Sequence, residues 1–124
     1  MTFTVKKIDH VVLLARNIAS LTRFYTAVLD AVVEREEASI GLVQIRIGDA
    51  LLDLVPATDG APGRNMDHLC FRIEPMDVAA IRTRLQPFGV VPEPVVRRYG
   101  ADGYGPSVYF HDPEGNRIEL KGGD

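Results

Sequence analysis

Ile8-Asp9-His10-Val11 and Met66-Asp67-His68-Leu69 stand 58 positions apart, and Leu52-Asp53-Leu54 and Ile118-Glu119-Leu120 stand 66 apart. Each half of the chain therefore opens on a strand-like segment carrying a histidine and closes on one carrying a carboxylate. The eight-residue difference between the offsets fits within a longer connection at 99–106 in the second half. Self-similarity of this kind marks a duplicated structural unit. It also places two different polar residue types at equivalent points of both copies, which drift rarely does.

Working outward from these segments gives an element order. Lys7–Ala15 is rich in β-branched residues and reads as a strand. Asn17 suits a helix cap, and Ile18, Leu21, Phe24, Tyr25, Val28 and Leu29 recur at helical spacing, predicting a helix over 18–30. Ala31–Ala38, Leu42–Ile47 and Ala50–Val55 follow as strands, divided at Gly41 and Gly48-Asp49. Residues 56–65 have linker composition. The second half repeats the order: a strand over Met66–Glu74, a helix over 76–88 with Pro75 at its start and Pro87 and Gly89 at its end, and a short edge strand over Pro92–Arg98. A Gly-rich loop at 99–106 then leads to a hairpin of Ser107–His111 and Asn116–Lys121 turning at Asp112-Pro113-Glu114-Gly115. The expectation is an α+β fold of two tandem βαβββ modules, about 5–57 and 65–122, within one domain spanning 1–124.

Side chains alternate across a strand, so parity sorts the polar groups onto one face. His10 shares its face with Ile8, Val12 and Leu14; His68 with Cys70 and Arg72; Glu119 with Arg117 and Lys121; Tyr109 with Ser107 and His111; Arg46 with Gln44. The opposite faces are apolar and should carry the helices. Asp53 and Glu119 each sit between apolar neighbours, where an unpaired charge is costly. Two histidines and two carboxylates meeting at one point would be balanced by a divalent cation, and imidazole with carboxylate suits Mn²⁺, Fe²⁺, Co²⁺, Ni²⁺ or Zn²⁺. Taken singly, a strand histidine is ordinarily a structural residue and an alternating carboxylate ordinarily a solvated one; the duplication is what turns the reading towards a metal. Cys70 reads as a small packing residue or a soft ligand, and His111 as a solvent-exposed hairpin residue.

Composition narrows the function classes. The 124 residues are 46% hydrophobic and 25% charged, which suits a globular domain. The net charge is −3 and no basic block is present, so no nucleic-acid footprint is visible. The longest clean apolar run is Val11–Ala15, too short for a transmembrane helix. The segment Met1–Lys7 has no apolar core of a secretory signal. The one cysteine, Cys70, cannot form an intramolecular disulfide and fits a reducing compartment, so a cytoplasmic location is expected. A chain of this size with open strand edges is expected to form a homodimer.

Three stretches resemble the vicinal oxygen chelate superfamily, which includes glyoxalase I, fosfomycin-resistance proteins, extradiol dioxygenases, methylmalonyl-CoA epimerase and bleomycin-resistance proteins. They are Ile8-Asp9-His10-Val11 with the helix ending Phe24-Tyr25-x-x-Val28-Leu29; Met66-Asp67-His68-Leu69; and Ser107–Leu120, the most specific. The resemblance implies paired modules forming a cupped mixed sheet around a metal, with helices on the outer face and two chains commonly completing each site, and with His10, His68 and Glu119 as ligands. Asp53 stands where relatives often have Glu or Gln; with its shorter side chain it would reach a metal only through water, leaving a two-histidine, one-carboxylate set. Arg46, Arg72, Tyr109, Arg98 and Tyr104 are the candidate substrate-binding residues, an arginine on such a face suiting a carboxylate or phosphonate. The implied activity is metal-dependent lyase or isomerase chemistry on a small substrate that binds the metal through adjacent oxygens, with Glu119 or Asp53 as general base. Extradiol-type dioxygenase and fosfomycin-type transferase activities are the alternatives within that class. A metal-free protein that sequesters a ligand, like bleomycin-resistance proteins, is the alternative from another class.

Overall fold

A computed structural model describes residues 7–58, 66 and 68–123. Asp67 of the second repeat and most of the 56–65 linker lie outside those residues. The chain divides into two units, Met1–Ala61 and Pro62–Asp124, and each holds one βαβββ module.

In the first unit, β1 (His10–Ala15) leads into α1 (Ile18–Val28), and β2 (Val32–Glu37), β3 (Leu42–Ile47) and β4 (Ala50–Pro56) follow. The sheet order is β1-β4-β3-β2, with β1 parallel to β4 and the other pairs antiparallel. Helix α1 forms because Leu21, Phe24, Tyr25 and Val28 make one apolar stripe and all four are buried. Its first turn is closed by Asn17, whose Oδ1 accepts from the Ser20 amide at 2.9 Å. Phe24 and Tyr25 meet edge to face at 5.3 Å, and the helix packs on the β2–β3–β4 side of the sheet. Ile45, Leu52 and Leu54 complete this core. Each such large apolar side chain contributes about 1.5–3 kcal/mol by leaving water.

The second unit repeats the plan with β5 (Leu69–Arg72), α2 (Val78–Leu85), a 3-10 turn at Gln86–Phe88, β6 (Val96–Gly100), β7 (Gly103–His111) and β8 (Arg117–Lys121). The sheet order is β5-β8-β7-β6, so β6 is an edge, as its preceding prolines suggested. Ile81, Leu85, Val108, Phe110, Ile118 and Leu120 are its buried apolar residues.

Two expectations need correction. Helix α2 does not start at Pro75: Asp77 caps it, its carboxylate accepting from the Ala80 amide at 3.1 Å, and a side-chain acceptor defines a helix start more firmly than proline's fixed φ. Residues 99–106 are not a loop. Tyr99 pairs with Tyr104 and Gly100 with Gly103, so β6 and β7 form a hairpin turning at Ala101-Asp102, with Gly103 at φ 87° taking the left-handed position.

The β7–β8 turn matches the reading from sequence. The buried Asp112 carboxylate accepts from the Glu114 amide (2.8 Å), the Asn116 amide (2.9 Å) and Asn116 Nδ2 (2.8 Å). Asp112→Ala is expected to cost about 2–4 kcal/mol, because backbone donors near a buried site lose a charged acceptor. A lower urea midpoint with an unchanged slope is the expected result; an unchanged midpoint would show that the turn holds without its side chain.

Candidate functional site

In the first unit His10 and Asp53 lie on the two parallel strands, the edge strand β1 and its neighbour β4. His10 stands opposite Leu51 and Val12 opposite Asp53. The His10 Nδ1 is 2.7 Å from Asp9 Oδ1. A carboxylate only accepts, so Nδ1 carries the proton and Nε2 is the nitrogen left with a lone pair. This is the way a metal-ligating imidazole is ordinarily oriented. The Asp9 hydrogen bond raises the His10 pKa, desolvation opposes it, and the Asp53 charge adds to the rise.

Asp53 is only 6% exposed. Gln44 Nε2 donates to both of its oxygens, each at 3.1 Å. Arg35 Nη1 in turn donates to Gln44 Oε1 at 3.0 Å, which fixes the amide end that meets Asp53. The β2–β3 register shifts between Val33 and Arg35, so successive residues of β2 both reach side chains of β3. Arg35 meets Gln44, and Glu34 takes Arg46 in a two-point fork at 3.0 and 2.6 Å. The Arg46 guanidinium, expected to meet substrate, is held on its own sheet by Glu34.

In the second unit Glu119 is 4% exposed on β8, opposite Cys70 on β5 and Tyr109 on β7. Ser107 Oγ donates to Glu119 Oε2 at 2.6 Å, and His68 Nε2 lies 3.0 Å from Oε1. Burial pushes the Glu119 carboxyl up, but hydrogen bonds from Ser107 and Tyr109 together with His68 outweigh it and hold the group below its ordinary value. The Tyr109 ring meets His68 edge-on at 5.5 Å and carries the Arg117 guanidinium over its face at 4.1 Å, with Arg98 at 6.0 Å.

The other candidates are placed differently. Arg72 reaches Asp102 (3.2 Å) and Glu74 (3.4 Å). Tyr104 is on the opposite face of β7 from Tyr109, edge-on to Tyr99 at 5.0 Å, and the structure does not bring it to Glu119. Cys70 is exposed as a residue, yet desolvation of its thiol and the adjacent Glu119 push its pKa to about 11. In metal-free protein, its alkylation by iodoacetamide at pH 8 is expected to run roughly 100-fold slower than that of an ordinary thiol, because the thiolate is the nucleophile. A rate equal to free cysteine would contradict that environment.

Sequence reasoning missed Asp9, Gln44, Arg35 and Ser107 as partners of the site. Parity had put Gln44 and Ser107 on the right faces, and Asp9 belongs to the repeated motif; the pairing itself depends on strand register.

No group of three or more His, Cys, Asp or Glu side chains suited to a metal comes together among the described residues. The donor chemistry of each unit still fits a divalent cation. His68 Nε2 carries the proton that Glu119 Oε1 accepts at 3.0 Å, and a divalent cation would replace that proton between the same two atoms. Glu119 is held ionised, and His10 presents a free Nε2. The Gln44 amide bridges both oxygens of Asp53 and still leaves lone pairs on each.

Fold and site together define a duplicated βαβββ protein with a histidine and a buried carboxylate in each module. Residues 7–120 match the profile of the Glyoxalase/Bleomycin resistance protein/Dioxygenase superfamily, and the chain belongs to that family. A virulence protein of Salmonella typhimurium is 30% identical over 122 residues, covering 94% of this chain and 83% of the relative. An integron cassette protein from the mobile metagenome of Vibrio cholerae superposes with a TM-score of 0.77 at 26% identity, covering 98% of both chains. A fosfomycin resistance protein, FosX, from Listeria monocytogenes superposes with a TM-score of 0.76 at 21% identity, over 98% of this chain and 96% of that one, a likeness of fold. No helix among the described residues is long and apolar enough to cross a membrane.

Proposed function

We propose that the protein is a divalent-metal-dependent enzyme acting on a small molecule with two adjacent oxygens, with lyase or isomerase chemistry. The observation that carries this reading is the His68–Glu119 pair: a buried, ionised carboxylate 3.0 Å from an imidazole, supported by two hydroxyl donors, at positions that the resemblance in sequence implies for ligands. His10, His68 and Glu119 are the proposed ligands, for Mn, Fe, Co, Ni or Zn. When bound, the metal supplies Lewis acidity, drawing negative charge onto the substrate's oxygens.

The chain's own residues do the rest. Ser107 and Tyr109 keep Glu119 ionised and oriented, Asp9 fixes the His10 ring, and Gln44 with Arg35 hold Asp53. Asp53 is the proposed general base: it is buried, and one amide nitrogen shared between its oxygens leaves lone pairs to take a proton. Fosfomycin-type transferase and extradiol-type dioxygenase activities are the alternatives that the same proposed ligands would allow. A ligand-sequestering protein would have no use for an ionised buried carboxylate facing an imidazole.

The test is turnover of three substrates by metal-reconstituted protein: a hemithioacetal of a 2-oxoaldehyde, fosfomycin with a thiol or water, and a catechol with O₂. Turnover of the first, falling at least 100-fold in Asp53→Asn with metal content retained, is the expected result. Turnover of the second or third alone would reassign the reaction type. No turnover with any of the five metals, together with metal-independent ligand binding, would replace the enzyme by the sequestering protein.

The protein is also proposed to be a homodimer. Val12 and Leu14, on the His10 face of the edge strand β1, are 48% and 55% exposed, apolar surface that a second copy would cover. Sedimentation at micromolar concentration should show a dimer, and a monomer there would count against it.

A further inference from the structure

Tyr109 stands opposite Glu119 in the β7–β8 register and donates its hydroxyl to the carboxylate; the same hydroxyl meets Arg98. Three contacts that close on one another hold its ring. Arg117 lies on β8 two residues before Glu119, on the same face and diagonal to Tyr109. Its guanidinium is 4.1 Å over the Tyr109 ring, and its Nη2 donates to Glu93 Oε1 at 3.0 Å. The Glu93 amide donates to the Tyr109 carbonyl at 2.8 Å. Glu93 thus grips the Tyr109 backbone with its main chain and the cation over the Tyr109 ring with its side chain.

The anchor is stiff by sequence. Glu93 sits between Pro92 and Pro94. Pro92 is buried and has its φ fixed, and a residue before proline is confined to extended backbone. The Glu93 carboxylate has little freedom beyond its own side-chain rotation. The arginine it holds sits on the negative face of the ring, and His68 closes the ring's edge at 5.5 Å. Tyr109 is buried, and its hydroxyl leaves Glu119 only if the ring tilts out of this setting.

We propose that Arg117, anchored by Glu93, is a positioning residue for Glu119, acting through the Tyr109 ring to keep its hydroxyl on the carboxylate. This rests on the reading of Glu119 as a metal ligand and deepens it, because the arginine then helps the site by orientation and against its own charge. A nearby guanidinium repels a divalent cation, so removing Arg117 would tighten metal binding if its charge were all that mattered. Loss of orientation weakens binding instead. The two effects differ in sign.

The test uses the full chain, made with 3-fluorotyrosine at its four tyrosines, and Zn²⁺ as the probe. Fluorine spectra are taken on metal-free protein, with the Tyr109 signal identified by its absence in Tyr109→Phe. Zn²⁺ affinity is measured by chelator competition on unlabelled protein. Arg117→Gln is expected to shift the Tyr109 signal alone among the four and to weaken Zn²⁺ binding about 10-fold, the low end of the loss when a group orienting a ligand is removed. Glu93→Gln keeps the guanidinium but loosens its anchor, and should move both readouts the same way by less. In a Tyr109→Phe background Arg117→Gln should add no further loss. An unmoved Tyr109 signal in Arg117→Gln, Zn²⁺ affinity equal to or tighter than wild type in that variant, or the same loss with and without the Tyr109 hydroxyl overturns the proposal. Should Arg117→Gln not fold, Glu93→Gln decides by the same two readouts, since Glu93 is exposed. Wild type that binds no Zn²⁺ counts against the metal reading alone, and the Tyr109 signal then decides the clamp.

Discussion

Glu119→Ala is expected to lose its metal and to be less stable than the metal-free wild type by about 2–5 kcal/mol. The two effects have separate physical origins. Removing the carboxylate takes away the one anionic donor of the proposed ligand set. It also strips the acceptor from Ser107 Oγ, which is fully buried and 2.6 Å away, and from the Tyr109 hydroxyl. Glu119→Gln separates them. An amide oxygen can still accept from Ser107, so chelator-treated Glu119→Gln should keep more of the wild-type urea midpoint than the alanine variant. Its neutral amide is a poor metal ligand, so its metal content should fall as in Glu119→Ala. Equal stability of the alanine variant and metal-free wild type would show that the Ser107 and Tyr109 bonds contribute nothing.

Asp9→Asn should weaken metal binding about 10–100-fold, the usual cost of losing the group that orients a ligating imidazole, and His10→Ala should weaken it further. The Asp9 carboxylate can only accept, which leaves the His10 Nε2 lone pair available. An asparagine can present its amide instead and favour the other tautomer. Asp9 lies on the surface, so neither the fold nor the Glu119 cluster should change. Competition with a metallochromic chelator measures both affinities. Wild-type affinity in Asp9→Asn would exclude a role for that hydrogen bond, and wild-type affinity in His10→Ala would remove His10 from the ligand set.

Much of the fold was legible in the chain because the duplication repeats its own evidence. Leu42–Ile47 was read to the residue, and α1 was marked by Asn17 and its apolar stripe. The misreadings share a cause. Pro75 and the glycines at 100, 103 and 105 were given their usual local meaning as helix start and loop, whereas capping by Asp77 and the pairing of β6 with β7 decide the structure there.

In the site, the histidines and carboxylates stood out because the same residue types return at equivalent points of both modules. Their supports did not. Gln44, Arg35 and Ser107 look like ordinary polar positions of alternating strands until register sets Gln44 opposite Asp53 and Tyr109 opposite Glu119. Arg46 shows the converse: parity put it on the right face, but the shifted register of β2 brings Glu34 to it.

The central claim, that the histidines and Glu119 hold a divalent metal, is tested most directly by elemental analysis of protein purified without chelator or His-tag, beside His68→Ala. The account predicts about one transition metal per chain in wild type and its loss in a folded His68→Ala. Equal metal content in the two proteins, or no metal in wild type even after addition of Mn²⁺, Fe²⁺, Co²⁺, Ni²⁺ or Zn²⁺, would contradict it.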